Sequence, residues 1–107
     1  AWSYSAPNKT DFYANFISGA QRQPNGNTLV CNGPVGTLFE VDPAGVIVWQ
    51  YLNPVAKLGT RTQGQLPPVP GNAEGDENWI FKAHRYPVDH AGLAGRDLTP
   101  GPVIEAP

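Results

Sequence analysis

Between residues 16 and 51 short apolar runs alternate with tight-turn signals. No window keeps a 3.6-residue apolar period over three turns, so helix competes poorly and strands are predicted over 16–23, 28–31, 37–41 and 46–51. The first turn, Pro24-Asn25-Gly26-Asn27, has Asn-Gly at its centre, where a two-residue hairpin needs positive φ at both positions. The second, Asn32-Gly33-Pro34-Val35-Gly36, is longer. The third, Asp42-Pro43-Ala44-Gly45, sets proline second and glycine last, the pattern of a type I turn.

The faces of these strands are unusual. Simple alternation puts Val46, Val48 and Gln50 on one side of the fourth strand and Ile47, Trp49 and Tyr51 on the other. Both sides are mostly apolar, and Thr28-Leu29-Val30-Cys31 is apolar on both as well. A sheet with one wet face would alternate cleanly. The expectation is an all-β chain whose sheet is pressed between two neighbours, as a blade is inside a β-propeller. An ordinary two-sheet sandwich is the alternative.

The rest of the chain repeats pieces of this stretch. Trp2, Tyr4 and Pro7 stand in the same Trp-x-Tyr-x-x-Pro pattern as Trp49, Tyr51 and Pro54. Ile17, Ala20, Arg22 and Pro24 recur as Ile80, Ala83, Arg85 and Pro87, each set behind an aromatic residue, Phe16 or Trp79. A period of about 47 residues with four strands per unit is propeller spacing. The predicted organisation is a last strand of a preceding blade (1–8), a complete blade (9–54), an inserted Gly/Pro-rich loop (55–78), the first strand of a following blade (79–87) and an irregular tail (88–107). One blade and two fragments would leave apolar faces wet, at about 25 cal/mol per Å2 against a net stability of about 5–15 kcal/mol. The chain is therefore expected to need further blades, from a longer parent polypeptide or from neighbouring subunits.

Composition narrows the function classes. The 107 residues hold 12 Gly and 12 Pro, which fits many turns, and the net charge of −2 offers no basic field for nucleic acid. No 18-residue apolar segment is present, so no transmembrane helix is expected. The single cysteine, Cys31, excludes an internal disulfide and any C-x-x-C site; on a strand it reads as a small buried side chain. With no methionine, Ala1 does not read as a translation start. That points to a cleaved mature product or to a piece of a longer chain, and the repeats favour a piece or a subunit completed by partners.

The run Gly-Ala-Gln-Arg-x-Pro-Asn-Gly-Asn-Thr-Leu-Val over 19–30, followed by Leu-Phe-Glu-Val-Asp-Pro-x-Gly-x-Ile-Val-Trp-x-Tyr over 38–51, resembles a repeat of the bacterial arylsulfotransferase-type propellers. Arg85-Tyr86-Pro87, with Gly92 to Leu98, is similar to the C-terminal end of secreted members of that group. The resemblance implies the C-terminal part of a six-bladed ring, secreted or periplasmic. It also implies sulfuryl transfer from an aryl sulfate to a phenol through a channel histidine, with no metal or organic cofactor. Related repeats occur in propellers that are not sulfotransferases, so a non-catalytic binding or structural scaffold stands as the second class.

His84 is the candidate catalytic residue, because it lies on a predicted first strand and first strands line a propeller's channel. A neutral imidazole can attack sulfur. Arg22 and Arg85 are candidates for holding sulfate, and Gln21 occupies the His84 position of the other repeat. Neighbours on a strand point to opposite faces, so His84 and Arg85 do not face one ligand without a bulge. The bland alternatives are a satisfied polar residue for His84 and, for the two arginines, a fork tying one blade to the next. Asp89-His90 reads as a loop pair. The acidic stretch Glu74-Gly75-Asp76-Glu77-Asn78 lacks the alternating oxygen ligands of a calcium loop, and no metal site is predicted. Asn8-Lys9-Thr10 matches a glycosylation sequon.

Overall fold

The computed structural model describes residues 2–65 and 77–105. It is all-β. Strands β1 (Ser18–Arg22), β2 (Thr28–Asn32), β3 (Thr37–Val41) and β4 (Ile47–Leu52) form one antiparallel sheet in chain order, and β5 (Val55–Ala56) pairs with β6 (Gly59–Thr60) in a small second sheet. Each strand of the larger sheet lies within about two residues of its sequence prediction. The described residues close no barrel or ring. The predicted loop 55–78 thus opens with a short hairpin, and residues 74–76 of its acidic stretch lie outside the described residues.

Two of the three turns share one geometry. In the first, Gly26 N–H donates to Gln23 C=O at 3.0 Å and Gln23 N–H to Asn27 C=O at 2.8 Å. In the third, Gly45 N–H donates to Asp42 C=O at 3.0 Å and Asp42 N–H to Val46 C=O at 2.9 Å. Each is a type I turn with proline second, closed by a glycine at positive φ, 90° for Gly26 and 89° for Gly45. This corrects the reading of the first turn: Asn25 is not at positive φ. Pro24 takes the second position and moves the left-handed residue onto Gly26 alone. The Asp42 carboxylate further accepts from the N–H of Ala44 and Val46, both at 2.9 Å.

The inner strands carry the core. All five residues of β2 are buried, and Leu29, Val30, Cys31, Phe39, Val41 and Ala56 make up the buried apolar set. The register pairs Val30 with Phe39 and Leu29 with Glu40 across β2 and β3. One face therefore holds Thr28, Val30, Phe39 and Val41, and the opposite face holds Leu29, Cys31 and Glu40. On β4 the alternation is broken. Val41 pairs with Ile47 but Glu40 pairs with Trp49, which leaves Val48 as a bulged extra residue. Ile47 therefore lies on the Phe39 face, away from Trp49 and Tyr51, contrary to simple alternation.

Over the inner strands each face is covered by a different segment of the chain, while all of β4 and most of β1 stay exposed. Tyr4 and Phe12 pack on the Val30–Phe39–Val41 cluster, with ring centroids 5.9 Å and 5.2 Å from Phe39. Residues 77–87 run over the opposite face. Ile80 N–H donates to Gly33 C=O at 3.1 Å, the Cys31 thiol reaches Ile80 C=O at 3.5 Å, and the Phe16 and Trp79 rings meet edge-on at 5.0 Å. Residues 2–8 and 79–87 belong to no ladder.

Gly33 sits where these layers cross. A Cβ there would lie 2.0 Å from Ile17 C=O and 2.3 Å from Ile80 C=O. Its N–H donates to Ile17 C=O at 3.0 Å and its C=O accepts from Ile80. The first of these bonds helps to hold Ile17, a β-branched residue, at a φ of 39°, in the left-handed region. The base of the 55–78 excursion is closed by a reciprocal clasp. Asn53 Nδ2 donates to Asn78 C=O at 3.1 Å, and Asn78 Nδ2 to Asn53 C=O at 3.0 Å.

Candidate functional site: the seam and the first-strand groove

The predicted site residues gather along β1 and the segment that crosses beside it. Gln21 is the joint. Its amide oxygen accepts from Arg85 N–H at 2.8 Å and its Nε2 donates to Arg85 C=O at 3.1 Å. One side chain thus binds both backbone groups of Arg85, as a neighbouring strand would.

Arg85 then reaches over the sheet. Its guanidinium pairs with the Glu40 carboxylate and lies 4.5 Å from the centre of the Trp49 ring. Arg22, its repeat equivalent, lies 4.8 Å from the centre of the Trp2 ring and donates to Gly26 C=O at 2.7 Å. Trp2 in turn donates from Nε1 to Pro43 C=O at 3.3 Å. Trp2 and Trp49 therefore each carry a recurring arginine on the ring, an attraction worth about 0.5–2 kcal/mol each depending on exposure.

Glu40 anchors the second of these stacks. It is 4% exposed, in the middle of an apolar strand, and a buried carboxylate needs partners. Asn27 Nδ2 donates to it at 2.7 Å and Arg85 supplies the counter-charge. The Asn27 hydrogen bond is the first cause holding the Glu40 carboxyl below its ordinary range; an Asn25 hydrogen bond and Arg85 add to it, against the opposing effect of burial. Sequence reasoning missed Glu40 and Asn27. The readable signal was a lone acid inside Leu-Phe-Glu-Val, three apolar neighbours around one charge.

His84 points elsewhere. It is exposed, its ring lies 6.4 Å from that of Tyr86, and it makes no hydrogen bond among the described residues. With Phe81, Lys82 and Ala83 it lines one wall of an open groove whose other wall is β1 at Ser18 to Gln21. His84 and Arg85 diverge, the first into this groove and the second onto the sheet face. The structure brings together Gln21 and Arg85, and holds Arg22 at the other seam.

The remaining candidates are local. His90 Nδ1 accepts from Gly92 N–H at 3.0 Å and caps a short 3-10 turn, Ala91–Leu93. The Asn8 side chain accepts from the Thr10 hydroxyl at 2.8 Å. Burial pushes the Cys31 thiol up, away from the thiolate that nucleophilic chemistry needs. Among the described residues no group of three or more His, Cys, Asp or Glu side chains is placed to hold a metal ion, and no helix is long and apolar enough to cross a membrane. Comparison with protein-family models, with curated proteins and with solved structures returned no match.

Proposed function

We propose that the chain is one blade of a propeller-type ring together with the strands that seal it to its neighbours, and that it serves as a structural and ligand-presenting module. The observation that carries this reading is the doubled seam. Trp2 with Arg22 and Trp49 with Arg85 repeat one interaction on opposite faces of one sheet. A device used on both faces suits a unit meant to be followed by another like it. On this reading the ring lies outside the cell, and the groove between β1 and residues 81–84 faces its central channel. Negative-stain electron microscopy of the native material containing this chain tests the reading. Annular particles with a central hole are expected; solid particles without one would refute it.

A second reading, sulfuryl transfer, is favoured by the exposed His84 imidazole beside Lys82 in that groove. His84 would attack sulfur, the bond from sulfur to the aryl oxygen would break with departure of a phenolate, and the sulfuryl group would pass to a second phenol. Against it, Arg85 is occupied by Glu40 and Trp49, so the cation next in sequence does not steady a sulfate beside His84. An aryl-sulfate turnover assay with a phenol acceptor separates the readings. Turnover that His84→Ala abolishes favours the transferase; no turnover with several aryl sulfates favours the module.

A further inference from the structure

The outer edge of β4 is built to pair with itself. β4 ends the sheet, all six of its residues are exposed, and Ile47-Val48-Trp49-Gln50-Tyr51-Leu52 contains no charge. Proteins usually guard such edges with lysine, proline or a covering segment. The guard here is the bulge at Val48, which leaves the run beyond it regular.

The hydrogen-bond phase shows which groups face outward. Asn53 N–H donates to Gly36 C=O at 2.8 Å. By antiparallel alternation, Tyr51 and Trp49 bond inward to β3, while Gln50 and Leu52 turn their N–H and C=O to the open edge. The sequence around Gln50 is a chemical palindrome: Val48, Trp49, Gln50, Tyr51, Leu52 reads apolar, aromatic, polar, aromatic, apolar in both directions.

We propose that two copies of this chain associate through antiparallel β4–β4 pairing with the two-fold axis at Gln50. In this register Gln50 faces its counterpart and exchanges both backbone bonds with it. Trp49 of each copy then lies across from Tyr51 of the other, on the face where these rings already stack at 6.2 Å. The aromatic pairs on either side of Gln50 therefore match like with like, and the bulge at Val48 ends the regular pairing beyond them. A two-fold axis makes the surface self-complementary, so no further partner is needed. The contact joins two sheets by their edges and buries far less than the roughly 800 Å2 per partner of a stable interface, which places the dimer in the transient class. The inference does not rest on the ring reading, because a blade's outermost edge is open in either case.

Sedimentation equilibrium of the full chain from about 5 to 500 µM tests it. A reversible monomer–dimer equilibrium is expected. Gln50→Lys, which sets two like charges face to face on the axis, and Gln50→Pro, which removes an outward N–H, should each weaken it at least about tenfold. Gln50 is exposed, and far-UV circular dichroism reports whether each variant keeps the sheet. In a mixture of labelled and unlabelled chains, filtered NOEs between the Trp49 and Tyr51 rings of different copies give a readout that needs no variant. A chain that stays monomeric throughout, assembles beyond a dimer, shows no such NOEs, or dimerises as strongly in both folded variants overturns the proposal.

Discussion

Glu40 shows how one residue ties local chemistry to the packing of distant segments. Its folded-state pKa is lowered, first by the Asn27 hydrogen bond, so the charged form is held more tightly in the fold than in the unfolded chain. Its contribution to stability is complete above the ordinary carboxylate range and is lost as pH falls through the lowered folded value. Thermal unfolding of Glu40→Gln measured from pH 7 down to pH 3 should show a shallower acid loss than the parent. Gly33 is constrained by space. Gly33→Ala drives a methyl group into two carbonyl oxygens and parts residues 17 and 80 from the sheet. Urea unfolding is expected to show a loss of about 2–3 kcal/mol. Neither residue was singled out from sequence, since what each does depends on a segment far along the chain.

At the scale of elements, the four strands were legible because proline, asparagine and glycine mark their ends and β-branched residues fill them. Turn type was less so. The Asn25-Gly26 pair invited a two-residue hairpin, but Pro24 ahead of it selects the three-residue loop also built at Asp42-Pro43-Ala44-Gly45. The bulge at Val48 left no mark in a run that is apolar on both sides, so Ile47 was placed on the wrong face. Residues 79–87 show the difference between sequence likeness and local structure. They repeat 16–24 in residue pattern yet form no ladder, since strand assignment needs a partner that sequence alone does not supply. The buried strand β2 sets the expected cost of damage: Leu29→Ala should lower unfolding free energy by about 2–5 kcal/mol. For the seam, a double-mutant cycle on Trp49→Ala and Arg85→Ala, read by chemical denaturation, should give a coupling of about 0.5–2 kcal/mol. Additive losses would mean that the stack does not hold residues 79–87 to the sheet.

At the scale of the whole molecule, the apolar character of both sheet faces has its explanation in what lies on them. The aromatic cluster of Tyr4 and Phe12 covers one face of the inner strands and the crossing segment with Arg85 covers the other, while all six residues of β4 stay exposed. The absence of alternation points to cover on both sides of the sheet, and the structure supplies it over β2 and the buried end of β3 but not over β4. The site was less legible. The arginines stand out in the sequence because they recur, but their partners Trp2, Trp49 and Glu40 sit far from them in sequence. His84 stands out for its chemistry, and the fold gives it an open groove without a base or a counter-charge bonded to it among the described residues.

The most direct test is a NOESY spectrum of the chain in solution. It should connect the Phe39 ring to Tyr4 and Phe12 from one side of the sheet, and the Trp49 ring to the Arg85 side chain and Cys31 to Ile80 from the other. Contacts on a single side, with the opposite side of β2 open to water, would contradict inner strands covered on both faces by distant segments of the chain.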